Sequence, residues 1–463
     1  MSLLREVRSP ANGEVVGQYP ENTFEDLDLA LERAQAAFKA WSGMTAYDRE
    51  GAMRKASALA RGKAPEIGRL MALEQGKPLK QSVSEVSASC DILDFYAAEG
   101  VRVAGQILQT EKTEFLSLVS HAPLGIAALI TPWNYPVALL SWKLGPALAA
   151  GCAALLKPSP LTSLCSRAFV EALQPALPDG LLAVLTSQGP ELGAALVGHP
   201  KISKIAMTGS TATGKAIMKA EGASLKRITL ELGGHCPALV LEDADLDQAA
   251  EAIAYKAFRN MGQSCSSINR VYAHHKIHAA LVEKVAANAA KMTIGDGIKD
   301  GSVDLGPMSS AEGLAKVKRH VADALAKGAR LVYGGKAPEG ADFAKGNYYL
   351  PTVLTGLKPD MLMAREETFG PVAPFAEFDD LDQAVHLAND SAYGLVSYVF
   401  TRDTGLAFKL SQRLEAGTVC VNHVQVNTAY GPYQGWKDSG LGLELSREAI
   451  FEYMKIKHLK LKA

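Results

Sequence analysis

The sequence predicts an α/β protein: two doubly wound parallel-sheet domains with a small β-ribbon element beside them. Three observations predict this class. Between residues 125 and 232, short apolar runs alternate with helical patterns, as in a parallel sheet wrapped by helices. After Gly234 the same alternation begins again. Two further segments, 106–121 and 453–462, alternate apolar and polar residues, which fits exposed antiparallel ribbons.

In chain order, residues 24–103 carry helical patterns: FEDLDLALERAQAAFKAW, then DREGAMRKASALARG, then a long segment around Ser82–Glu99. The ribbon QILQTEKTEFLSLVSH follows. Five strands are then expected: GIAALIT (125–131), AALLKP (153–158), LLAVLT (181–186), ISKIAMT (202–208) and RITLEL (227–232). Each run is continuous rather than alternating, because a parallel strand is covered on both faces. Val137–Leu156 is apolar over a bilayer-crossing length, but Lys143 and Gly145-Pro146 interrupt it, so it reads as a buried helix running into a buried strand. The second unit opens with PALVLEDADLDQAAEAIAYKAF, a strand followed by an acidic helix start. RVYAHH, a helix near 279–291, RLVYGG, VAPFAEF, a helix at 380–389 and SYVFTRD continue it. Neither ribbon is stable alone, so the two are expected to pair with each other or across a subunit boundary.

The 463 residues suffice for several cores, and 48 basic against 49 acidic side chains leave a net charge of -1. No pull toward nucleic acid or an anionic membrane is expected, and a small-molecule substrate is. The opening MSLLREVRSPANGE has no apolar run before a small-residue cleavage site, so a cytoplasmic location is expected. The six cysteines are scattered, with no C-x-x-C pair and no histidine cluster at metal spacing; neither a disulfide framework nor a metal site is expected.

Ligands of such sheets lie outside the C-terminal strand ends, so Thr131–Asn134, Lys157, the Gly209 turn and Glu231 are expected to converge. Gly209, Gly214 and Lys215 have the spacing of a phosphate loop, but Ala216 stands where a nucleotide hydrolase needs Ser or Thr for magnesium. What survives is a strand feeding Gly209-Ser210 and a helix start, an N-terminus that suits a dinucleotide pyrophosphate.

The ordered set TPWN (131–134), KPSP (157–160), TGSTATG (208–214), LELGG (230–234), GQSC (262–265), EETFGPV (366–372) and WKDSGLG (436–442) resembles the aldehyde dehydrogenase superfamily. FRNMGQSCSSINR (258–270) is most similar to the succinate-semialdehyde dehydrogenases. The resemblance implies a Rossmann-like cofactor domain (1–105 and 122–234), a catalytic domain (235–430) and an oligomerisation element (106–121 and 431–463). It implies oxidation of a small, polar or carboxylate-bearing aldehyde, succinate semialdehyde-like or a lactaldehyde-like hydroxyaldehyde, to the acid. Cys265 is then the nucleophile, a thiol forming a thioester. Asn134 and the Cys265 backbone N–H hold the oxyanion, and Glu231 is the general base for hydrolysis. Thr131, Trp133, Lys157, Gly209, Ser210, Leu232, Gly233, Glu367 and Phe369 are implied contacts of NAD or NADP. Pro160 replaces the Glu that NAD-preferring members carry, which admits the 2′-phosphate of NADP. Arg270 is either the clamp for a substrate carboxylate or a surface arginine opening a strand; a second family arginine is replaced by Trp142. His423, in the polar loop His423–Tyr433, either contacts substrate or is a satisfied loop residue. A homodimer or homotetramer is implied.

Overall fold

In the computed structural model the described residues are 3–462; Met1 and Ser2 of the opening stretch, and Ala463, lie outside them. A hairpin of β1 (Leu4–Arg8) and β2 (Val15–Pro20) precedes four helices, α1 (Phe24–Gly43), α2 (Ala46–Gly62), α3 (Ala64–Gln75) and α4 (Leu79–Gly100). Thr23 and Asp26 form a reciprocal capping box that starts α1, and Gly76 at φ 89° ends α3. Leu27, Leu31, Ala34 and Trp41 form the buried stripe of α1, at the spacing that puts them on one face.

The ribbon strands β3 (Gln106–Leu108) and β4 (Phe115–Pro123) follow. The first α/β unit then runs β5 (Ile126–Ile130), α5 (Pro136–Ala150), β6 (Ala153–Lys157), α6 (Ser163–Leu173), β7 (Leu182–Val184), α7 (Glu191–Gly198), β8 (Ile202–Thr208), α8 (Thr211–Ala220) and β9 (Arg227–Glu231). Its parallel strands lie in the order β9-β8-β5-β6-β7. Strand order reverses between β5 and β8, and a crevice opens at such a switch point. Thr131–Asn134 leave one side of that point and Gly209-Ser210 the other.

The second unit runs β10 (Cys236–Val240), α9 (Leu246–Phe258), β11 (Ile268–His274), α10 (His275–Lys291), α11 (Ala311–Ala326), β12 (Arg330–Tyr333), β13 (Thr352–Thr355), α12 (Leu362–Arg365), β14 (Val372–Phe378) and α13 (Leu381–Asn389). It ends with β15 (Tyr393–Gly394), β16 (Val396–Phe400), α14 (Thr404–Arg413) and β17 (Thr418–Val421). The sheet order is β12-β13-β14-β11-β10-β16-β17, parallel except for β12. Of the last strands, β18 (Trp436–Lys437) pairs with β15 and β19 (Gly440–Leu441) returns to the edge of β9. The final strand β20 (Met454–Lys462) lies along β4 for nine residues, from Met454↔Pro123 to Lys462↔Phe115. The two ribbons therefore pair with each other inside the chain.

Val137–Leu156 forms a buried helix and strand, as its interruptions require. Among the described residues no helix is long and apolar enough to cross a membrane. The hairpin β1–β2, helix α11 and the four-residue strands β13 and β17 stand outside the sequence expectations. The hairpin is short and charged, and Arg5 bonds Glu21 just beyond it.

Candidate active site

After α9 the backbone makes an abrupt turn: Asn260, Met261 and Gly262 take φ of 53°, 57° and 65° in succession. Left-handed Asn and Met are costly unless the surroundings hold them. Here Asn260 Nδ2 donates to the Asn134 carbonyl at 3.0 Å, and Gln75 Nε2 donates to Asn260 Oδ1 at 3.0 Å. Gln263 Nε2 donates to the Asn260 carbonyl, and Gln263 Oε1 accepts from the Ser309 N–H, each at 3.0 Å. Two glycines permit close backbone approach: a Cβ on Gly262 would sit 2.1 Å from the Gly370 carbonyl, and one on Gly234 only 1.9 Å from that of Cys265. The turn delivers Cys265 to the wall of a cavity of about 680 Å³.

Glu231 ends β9 beside this sulfur. It is 2% exposed, and neither carboxylate oxygen has a hydrogen-bond partner among the described residues. Burial, reinforced by the charge of Glu444, pushes its carboxyl up to about 7. Burial and then the Glu231 charge hold the Cys265 thiol well above its ordinary value, so the resting sulfur keeps its proton. The Tyr433 hydroxyl stands 3.7 Å from Cys265 Sγ. Behind Glu231, buried Lys143 reaches Glu444 at 2.8 Å and donates to Thr208 Oγ1 at 2.5 Å.

Asn134 Nδ2 donates to the Gln263 carbonyl at 3.0 Å, which leaves its second hydrogen free. The Cys265 backbone N–H has no acceptor among the described residues. Both donors are thus uncommitted among the described residues, which an oxyanion site requires.

The crevice at the β5/β8 switch point fits a dinucleotide on several independent features. Among the described residues the buried Thr131 hydroxyl has no partner, and the Lys157 amine has only a 3.4 Å bond to the Pro158 carbonyl. Ser210 caps α8 by accepting from the Thr213 N–H, so the first turn still presents N–H groups. The Gly209 N–H bonds the Glu231 carbonyl at 3.1 Å, so Gly209 can lend the cradle a close backbone approach rather than a donor. Lys215 points away to Asp438 at 2.6 Å, so the phosphate-loop lysine is committed elsewhere. Glu367 Oε1 accepts from the Gly234 N–H at 3.0 Å, and burial pushes its carboxyl up to about 7. A Cβ on Gly233 would meet Glu367 Oε2 at 3.1 Å, and one on Gly214 would meet Leu232 at 2.6 Å. Phe369, at φ 55°, packs edge-on against Trp133 with centroids 5.5 Å apart. Nicotinamide chemistry supplies a hydride acceptor when such a cofactor is bound.

On the opposite side, the cavity is lined by a face of α9 and its C-terminal turn: Gln248, Ala252, Tyr255, Lys256 and Arg259. Exposed His423 also lines it, with Gln425 and Asn427. Arg270 does not. It is 1% exposed; Nε and Nη2 donate to the His235 carbonyl at 3.0 and 2.7 Å, Nη1 to Leu387 O at 3.1 Å and Nη2 to Ala388 O at 3.0 Å. Both readings of Arg270 are therefore corrected, since the guanidinium ties β11 to the end of α13 and faces neither substrate nor solvent. Arg270→Met is expected to leave several carbonyls unpaired and cost about 3 kcal/mol, read as an earlier unfolding midpoint, with substrate charge preference unchanged.

The sequence reading passed over Arg259, which lies six positions before Cys265 inside the quoted FRNMGQSC. Among the described residues its guanidinium has neither a hydrogen bond nor an ion pair, and only the Tyr255 ring lies beneath it, at 5.4 Å. A helical projection of α9 through Gln248, Ala252, Tyr255 and Arg259 would have placed it on the cavity side. Tyr433 and the Lys143–Glu444 pair carry no local signal, because they meet the site only through tertiary folding.

The profile of the aldehyde dehydrogenase family matches residues 3–459. Over 454 residues the chain is 37% identical to a glutarate-semialdehyde dehydrogenase of Pseudomonas putida, covering 98% of this chain and 93% of that one. It is also 37% identical to the NADP(+) succinate-semialdehyde dehydrogenase of Escherichia coli K12, with the same coverage. The crystal structure of succinate-semialdehyde dehydrogenase from Burkholderia pseudomallei superposes with a TM-score of 0.96 at 38% identity, covering 100% of this chain and 95% of that one.

Proposed function

The chain belongs to the aldehyde dehydrogenase family, and on that premise we propose that it oxidises a small carboxylate-bearing aldehyde, succinate semialdehyde-like, to the diacid with NAD or NADP. One observation carries the substrate class. The Arg259 guanidinium, without a hydrogen-bond or ion-pair partner among the described residues, lines the same cavity as Cys265, and a guanidinium there suits a planar carboxylate.

Cys265 gives its thiol proton to water in the cavity and adds through sulfur to the aldehyde carbon, and the carbonyl oxygen becomes an oxyanion between Asn134 Nδ2 and the Cys265 N–H. Removing either donor from such a site costs about 3 kcal/mol of transition-state stabilisation. Loss of hydride from that carbon leaves a thioester on the sulfur. Glu231 then takes a proton from water, the hydroxide adds to the thioester carbon, and the acid departs as the sulfur regains its proton. Lys143 and Glu444 act on the Glu231 carboxylate through their charges, the first favouring its ionised form and the second opposing it. Thr131, Trp133, Lys157, Gly209, Ser210, Leu232, Gly233, Glu367 and Phe369 would hold the dinucleotide. Pro160 presents no carboxylate to a 2′-phosphate, which supports use of NADP.

The hydroxyaldehyde reading is favoured by one feature, the polar rim of His423, Gln425 and Asn427 on the same cavity. A reduction screen with both cofactors over succinate semialdehyde, lactaldehyde and butanal decides between them. Succinate semialdehyde is expected to show the highest kcat/KM; equal efficiency with butanal would end the carboxylate reading. Arg259→Gln is expected to raise KM for succinate semialdehyde about 10- to 100-fold and to leave KM for butanal nearly unchanged.

We place the enzyme in the cytoplasm as a homodimer or homotetramer, divided into the cofactor, catalytic and oligomerisation segments set out above. Exposed Ile107, Ile456, Leu459 and Leu461 on the ribbon sheet support its use as a subunit contact.

A further inference from the structure

The cavity holds a second cation that the reaction scheme leaves unused. Lys256 lies one turn before Arg259 at the end of α9, lines the cavity and is half-buried. Among the described residues no carboxylate lies within ion-pair distance of it. Its single hydrogen bond is to the buried Ser266 hydroxyl at 2.9 Å, and Ser266 Oγ lies 3.2 Å from Ser264 Oγ. An ammonium has three donors, so two remain for a ligand.

The acids lining the cavity do not cancel it. Glu85 is engaged by Lys77 and by the Val137 and Ala138 N–H groups, while Glu251 is exposed to solvent and joins no ion pair among the described residues. Lys256 and Arg259 therefore give the cavity an excess of positive charge, and their i, i+3 spacing places both on one helix face. Ser264 and Ser266 flank Cys265 in sequence, and all three line the same cavity as Lys256. Burial lowers the Lys256 pKa, and the charge of a Cys265 thiolate is the strongest opposing influence, which is consistent with that placement. A lysine serving only to neutralise the helix C-terminus would extend to solvent or to the last carbonyls; this one turns to a serine on the cavity wall.

We propose that Lys256 is a specificity-determining residue that grips the anionic end of the substrate together with Arg259. The ligand class is a short aldehyde bearing an oxyanion, carboxylate or sulfonate, which bridges the ammonium and the guanidinium. Trp142 stands where the sequence resemblance expects a second arginine, and Lys256 supplies the missing cation from another element. This inference rests on the carboxylate-aldehyde reading above and adds a residue to it.

The test compares wild type, Lys256→Gln, Lys256→Arg and Arg259→Gln, each with cofactor, on succinate semialdehyde, 3-sulfopropanal and butanal. Lys256→Gln is expected to raise KM for both anionic aldehydes about 10-fold or more, with kcat and the butanal parameters close to wild type. Lys256→Arg is expected to restore most of the loss. The relative penalty on carboxylate and sulfonate distinguishes the two heads. If wild type prefers anionic aldehydes and Arg259→Gln weakens that preference while Lys256→Gln does not, the role of Lys256 is overturned and the substrate reading stands. An equal fall in kcat for all three aldehydes in Lys256→Gln, with a shifted pH profile of Cys265 alkylation, also overturns it, because the lysine would then act on the thiol. If wild type shows no preference for charge, the substrate reading itself fails.

Discussion

Cys265→Ala is expected to lower aldehyde oxidation by about 10⁴-fold or more, the scale of losing a covalent nucleophile, and to abolish the first-turnover burst. Cofactor binding should persist, because no crevice contact is removed. The side chain is partly accessible, whereas the other five cysteines are buried, so the substitution leaves little cavity. Cys265 also lines the cavity, which none of the buried cysteines does, so none of them can stand in for it. Alkylation of wild type should therefore label one site, and mass spectrometry of a single turnover should find the acyl adduct on Cys265 alone. Retained oxidation in the alanine variant, or an adduct elsewhere, would remove the thioester from the account.

The first sheet was legible because its strands are covered on both faces and so appear as unbroken apolar runs. RITLEL and ISKIAMT sit within a residue of their observed ends. The chemistry at the strand ends was legible for a related reason: residues such as Asn134 and Glu231 are placed by the strand that precedes them, so local sequence carries their position. Arg270 shows where that logic fails. It lies on a strand, opposite Pro237 in the parallel register, and strand identity does not say which way a long side chain exits the sheet. Arg259 is the opposite case: the periodicity of α9 carries its side of the helix, whereas the left-handed turn at Asn260 and Met261 that follows has no local signal. The phosphate-like spacing at Gly209 shows that a turn can keep its shape while its N–H is used by the neighbouring strand.

Glu231→Gln is expected to separate acylation from hydrolysis. The amide keeps the shape of the side chain but cannot take a proton from water, so steady-state turnover should fall about 10³-fold. The burst should survive near one equivalent per site. Removing the carboxylate charge also removes one cause of the raised Cys265 pKa, which eases ionisation of the thiol. In wild type the base works only when ionised, and its carboxyl titrates at about 7. Hydrolysis should then climb with pH through that value and level off above it, while the Gln variant shows no such limb. Stability carries the opposite sign. A carboxyl raised from 4.5 to about 7 favours the folded state while protonated, and this contribution is lost as pH rises from about 4.5 through about 7. The Gln variant should lack that loss and, near pH 8, unfold later than wild type. A variant with full steady-state activity, or wild-type hydrolysis flat across this range, would assign the proton transfer to another group.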